Sequence, residues 1–259
     1  MIELYCKTYG DPAARPLVLL HGLFGSSTNW GSVARQLQDD FHVLVPDLRN
    51  HGRSPHDPDC SYPAMADDVR ALLDRRGLDA ATLVGHSMGG KVAMQLALGT
   101  PGRVAGLAVV DMSPVRYGHD FEQVLDGFDA VDLAAINARA DAERAMAGRV
   151  RGAGVRAFLL QNLARGEAGW YWRPNLAALR AAQADITGFP DQPADARYGG
   201  PTTFIFGGLS DYVTAAHEPM IRRLFPAATL CEVATAGHWV YADRPREFMD
   251  CLSAFLARA

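Results

Sequence analysis

Short-range cysteine pairs are missing from this chain. Cys6, Cys60, Cys231 and Cys251 are its only four cysteines, and they stand far apart with no CxxC and no metal-ligand interval. That removes zinc-ribbon and dithiol-redox classes, and all four are expected to be reduced thiols. Long apolar runs are missing as well: no stretch approaches the roughly 18 residues that a membrane-spanning helix needs. Neither sign of charge dominates. Lys and Arg number 25 against 29 Asp and Glu, for a net charge of -4. There is thus no basic footprint for nucleic acid and no charge block suited to a membrane surface. The opening Met-Ile-Glu-Leu-Tyr-Cys-Lys-Thr-Tyr alternates like a strand and lacks the charged start and apolar centre of a signal peptide. The expected setting is the cytoplasm or an organelle matrix, with no nucleic-acid partner and no membrane insertion.

What is present suits a globular domain with a sizeable core: 49% of residues are hydrophobic and 21% charged. Leu17 to Leu20 is a four-residue apolar run ending at His21-Gly22, a buried strand and its turn. Trp30, Val33, Ala34 and Leu37 fall on one helical stripe. His42 to Pro46 reads as a strand. Ser61 and Pro63 introduce a helix marked by Met65, Val69, Leu72 and Leu73. Ala81 to Gly85 is a strand, Ser87 to Leu98 a helix, and Val104 to Val110 a strand. The rhythm resumes with strands at Thr202 to Phe206 and Thr229 to Val233, then a final helix through Phe248, Leu252 and Phe255. Such alternation predicts an α/β fold, a mostly parallel central sheet flanked by helices. Between 114 and 199 the spacing of Phe121, Val124, Leu125 and Phe128, and of Val155, Phe158, Leu159 and Leu163, is helical. An all-helical insertion is predicted there, read as a lid beyond the C-terminal strand ends, where open α/β sheets place their sites. The domains are then 1–113 and 200–259 for the core and 114–199 for the lid. An independent helical domain is the alternative.

The strongest chemical signal is Gly85-His86-Ser87-Met88-Gly89-Gly90. A G-x-S-x-G between a strand and a helix is a nucleophile elbow. The glycines provide room for a turn that holds the serine in a strained conformation, and the helix N-terminus aims the Met88 amide at a developing oxyanion. The bland reading, a glycine-rich turn with an incidental serine, does not account for both flanks. His21-Gly22-Leu23-Phe24-Gly25-Ser26 follows the first core strand and supplies a second oxyanion donor, Leu23, with Phe24 as the fallback. His238, in Gly237-His238-Trp239 after the last strand, is the candidate base; most loop histidines are merely exposed, but its late post-strand position singles it out. His51 and His86 read as structural. Two carboxylates leave buried strands at the C-terminal edge, Asp111 and Asp211. The residues alone leave the choice of acid open.

Five stretches, HGLFGSSTNW from His21, DLRNHGRS from Asp47, GHSMGGK from Gly85, VDMSPV from Val110 and AGHWVY from Ala236, resemble α/β-hydrolases over the whole chain. More narrowly, they are similar to the YbfF-like bacterial esterases and their mitochondrial relatives. In most α/β-hydrolases the acid follows the strand at Thr202 to Phe206, three residues before a valine. Counting back from Val213 lands on Ser210, so Asp211 is one place out of register. The resemblance implies Asp111 as the acid, because the YbfF-like group uses the aspartate of VD-x-x-P.

The expected activity is hydrolysis of acyl esters or thioesters by Ser87, His238 and Asp111, with the Leu23 and Met88 amides as oxyanion hole and no metal or organic cofactor. Phe24, Trp170 and Trp239 are candidate pocket residues, although an aromatic cluster at Trp170 to Trp172 is more often packing. A C–C bond hydrolase, lactonase or perhydrolase shares the same triad. A non-catalytic binding protein on this scaffold would lack a triad member. Oligomeric state is not legible.

Overall fold

The computed structural model describes residues 1–118 and 120–259. The chain opens with β1 (Cys6–Tyr9), β2 (Arg15–Leu20), α1 (Gly31–Leu37), β3 (Phe41–Pro46), α2 (Tyr62–Arg75), β4 (Ala81–His86), α3 (Met88–Gly99) and β5 (Val104–Val110). The predicted N-terminus of α2 is realised, since the Ser61 hydroxyl accepts from the Ala64 amide. The insertion then contributes α4 (Glu122–Asp129), α5 (Arg139–Met146), α6 (Ala153–Leu160), β6 (Leu163–Gly166), β7 (Gly169–Trp172), α7 (Leu176–Ala181) and α8 (Gln183–Thr187). The core resumes with β8 (Thr202–Gly207), α9 (Glu218–Leu224), β9 (Ala228–Val233), α10 (Val240–Asp243) and α11 (Pro245–Leu256).

Seven strands form one sheet in the order β1-β3-β2-β4-β5-β8-β9. Only β1 runs antiparallel; the remaining neighbours are parallel. The core strands read as continuous apolar runs because both faces are covered. Leu17 and Leu19 of β2 pack with Trp30 and Phe248 on one face, while Val18 and Leu20 pack with Met65 and Val92 on the other. Register sets up the site. Leu20 lies opposite Gly85, Gly85 opposite Val109, and Val110 opposite Ile205. The chain therefore leaves β2, β4, β5 and β8 side by side at one sheet edge. No helix among the described residues is long and apolar enough to cross a membrane.

Two expectations need correction. The insertion is not all-helical: β6 and β7 pair as an antiparallel hairpin, Leu163 opposite Trp172 and Gly166 opposite Gly169. Val155, Phe158 and Leu159 sit on or beside α6, but Leu163, which extended the helical spacing, begins a strand. Gly169 at φ 113 and the aromatic run Trp170-Tyr171-Trp172 are the strand and turn signals that the spacing masked. The second correction concerns the thiols. Cys6 and Cys60 are free, but Cys231 and Cys251 are joined by a disulfide. They are 20 residues apart, with Cα atoms 6.3 Å apart, because α11 packs back against the edge strand β9. Short-range cysteine spacing carries no trace of such a pairing. Closing a loop of this size stabilises a fold by about 3 kcal/mol. Strong reductant, or Cys251→Ser, is thus expected to lower Tm by roughly 5–10 °C; identical melting curves with and without reductant would refute this.

Candidate active site

Ser87 is the single residue between β4 and α3, and its backbone is strained at φ 53 and ψ -119. Such a conformation persists only where the surroundings over-determine it. The two flanking glycines show how. A Cβ on Gly85 would lie 2.2 Å from the Gly89 carbonyl oxygen, and one on Gly89 would lie 2.5 Å from that of Leu20. The Ser87 amide donates to the Val110 carbonyl at 3.0 Å, fastening the bend to β5. The Ser87 side chain makes no helix-capping bond. Met88 is the first residue of α3, so its amide has no acceptor within the helix and lies at the positive end of the helix dipole.

Asp111 also has a left-handed backbone, φ 48, and is fully buried. Its Oδ1 accepts from the Gly207 amide at 3.0 Å. Its Oδ2 accepts from the Ser210 hydroxyl at 2.5 Å and from His238 Nδ1 at 2.7 Å. Of the two carboxylates the residues left open, Asp111 is thus the one in contact with the imidazole. Asp211 is exposed, and its neighbour Tyr212 stacks on His238 instead, with ring centroids 4.2 Å apart. Sequence reasoning missed both Tyr212 and Ser210. Ser210 had a signal: it occupies the register position where the resemblance places an acid, and it hands a proton donor to Asp111. Because Nδ1 donates to Asp111, Nε2 is left as the basic nitrogen of His238.

Ser87 and His238 line one cavity of about 250 Å³, which Leu23, Phe24, Met88 and Trp239 also line. Phe24 has φ 58, and the insertion's Asn162 holds it by donating from Nδ2 to its carbonyl at 2.7 Å. Trp170 does not reach this cavity. It lies on β7 with the Arg165 guanidinium 5.6 Å above its ring, so its assignment to the pocket is corrected. The DLRNHGRS stretch is structural: Asp47 accepts from the Ser27 and Arg53 amides at 2.5 and 2.8 Å, while Arg49 pairs with buried Asp68 at 2.7 Å.

Three buried histidines frame the site. His86 Nε2 donates to the His238 carbonyl at 2.9 Å, steadying the loop that carries the base. His21 Nδ1 donates to the Gly22 carbonyl and its Nε2 accepts from the Leu48 amide. His51 donates to the Arg49 carbonyl at 2.8 Å. Burial drives all three downward, His51 to about 3. They are neutral when folded, and the unfolded chain takes up their protons below about 6.5. Their contribution is therefore complete above that pH and lost as pH falls, at about 1.4 kcal/mol per pH unit for each group. Urea midpoints should drop steeply between about pH 6.5 and pH 5; a flat profile there would contradict neutral burial.

The alpha/beta hydrolase fold family model matches residues 15–245. A mouse protein named sn-1-specific diacylglycerol lipase ABHD11 is 44% identical over 256 residues, covering 96% of this chain and 83% of its own. Esterase YbfF of Escherichia coli strain K12 is 38% identical over 244 residues, covering 93% of this chain and 92% of its own. A solved structure described as a marine microorganism esterase superposes with a TM-score of 0.95 at 34% identity, covering 98% of this chain and all of that one.

Proposed function

Since the chain belongs to the α/β-hydrolase family and is a serine ester hydrolase, we propose that Ser87, His238 and Asp111 are its triad and that Leu23 and Met88 supply the oxyanion hole. The observation that carries this reading is the 2.7 Å contact between His238 Nδ1 and Asp111 Oδ2, at the wall of the cavity that Ser87 lines. His238 Nε2 takes the Ser87 proton as Oγ forms its bond to the ester carbonyl carbon, and the carbonyl electron pair moves onto oxygen. Asp111 fixes the tautomer and stabilises the imidazolium. Two amides hold the oxyanion; each such donor is worth about 10²–10³-fold in rate. Collapse breaks the bond to the alcohol, which leaves with the proton from His238. Water then repeats the sequence on the acyl-enzyme and releases the acid.

Residues 114–199 act as the lid in this reading. Phe121, Val124, Val155, Phe158 and Leu159 of that segment line the cavity and suit an acyl chain. The test is a panel of acyl esters of graded chain length, diacylglycerol and acyl thioesters included, set against ring-cleavage diketones. Esters are expected to be cleaved and diketones left intact. Diketone cleavage without ester turnover would overturn the assignment to acyl transfer.

A further inference from the structure

The cavity has one end that an acyl chain alone does not explain. Lys91 sits one helical turn after Ser87 on α3, about 6 Å along the axis, and lines the same cavity. It is 1% exposed. Its Nζ donates to the carbonyls of Ile186, Thr187 and Gly188 at 3.5, 3.0 and 2.5 Å, at the C-terminus of α8, and stands 4.8 Å from the centre of the Tyr117 ring. No carboxylate among the described residues forms an ion pair with it, although Asp120 lines the same cavity, and the Arg116 guanidinium acts on it as a like charge. Burial and Arg116 push it down to about 7.

Anchoring the insertion does not require this charge. The Tyr62 hydroxyl already donates to the Ile186 carbonyl at 2.6 Å, and Arg116 Nη1 donates to that of Ala184 at 2.9 Å. A buried ammonium without a counter-ion is costly, whereas one that meets an anion in a dry pocket forms a strong charge-assisted hydrogen bond. Building on the esterase reading above, we propose that the Lys91 end of the cavity receives a carboxylate carried on the acyl group, so that the preferred substrates are half-esters of short dicarboxylic acids.

The test compares methyl hemisuccinate with methyl isocaproate, which has an isopropyl group in place of the carboxylate. The wild-type protein is expected to favour the half-ester in kcat/KM by about tenfold or more. Lys91→Met should invert that ratio, and Lys91→Arg should restore part of it. Should Lys91→Met fail to fold, inhibition of the wild type by succinamate against isocaproamide reads the same preference. Turnover of methyl isocaproate with no gain for the half-ester, or an unchanged ratio in Lys91→Met, overturns the inference and leaves the esterase reading standing. Failure of both esters and of the whole acyl panel overturns the reading itself.

Discussion

Replacing Ser87 with alanine is expected to lower ester hydrolysis by about 10⁴–10⁶-fold while leaving the fold intact. The loss is large because the serine oxygen forms the bond; the remaining groups contribute only what binding and the oxyanion amides provide. Stability should change little. Alanine at φ 53 carries the same backbone strain as serine, and the hydroxyl makes no capping bond that its removal would break. Thermal unfolding should agree with wild type within about 0.5 kcal/mol. Retention of substantial ester hydrolysis by Ser87→Ala would mean that another group attacks the carbonyl.

The second large effect separates the two aspartates. Asp111→Asn is expected to reduce kcat by about 10⁴-fold, because the amide no longer holds the imidazole in its reactive tautomer. It should also cost stability. The Asp111 carboxylate accepts three hydrogen bonds, from Gly207, Ser210 and His238, and an amide has only one accepting atom to offer them. A buried polar group facing the wrong partner costs about 1–3 kcal/mol. Asp211→Asn, at an exposed loop position, should leave the rate near that of wild type. The reverse pattern, an inactive Asp211→Asn beside a near-normal Asp111→Asn, would overturn the choice of acid. Steady-state kinetics with circular dichroism on both variants reads the result.

How much of this was legible beforehand follows from which physics is local. The elbow could be read because its constraints lie within six residues: a strand must end, a helix must begin, and the backbone must bend too tightly for a Cβ. The strand and helix order could be read for the same reason, each element announcing its own period. The hairpin at Leu163 to Trp172 was hidden by spacing that happens to continue from α6, and only the aromatic run with Gly169 hinted at it. The Cys231–Cys251 bond was invisible, since it depends on α11 docking against β9 and not on the interval between the thiols. The acid lay between these cases. Asp111 and Asp211 both leave strands that end at the same sheet edge, so local pattern could not rank them. What separates them is the loop after β8, which turns Asp211 outward, lays Tyr212 on the imidazole and gives Ser210 to Asp111. Lys91 was read only as part of a matching stretch; that it is buried at the cavity wall without an ion pair depends on where α8 ends.

The central claim concerns a single reactive oxygen and the groups that activate it. Reaction with a fluorophosphonate probe, followed by intact-mass measurement and peptide mapping, tests it most directly. The account predicts one adduct, on the peptide that contains Ser87, formed quickly by wild type and slowly by His238→Ala and Asp111→Asn. Folded wild-type protein that stays unlabelled, or an adduct mapped to a different serine, would contradict it.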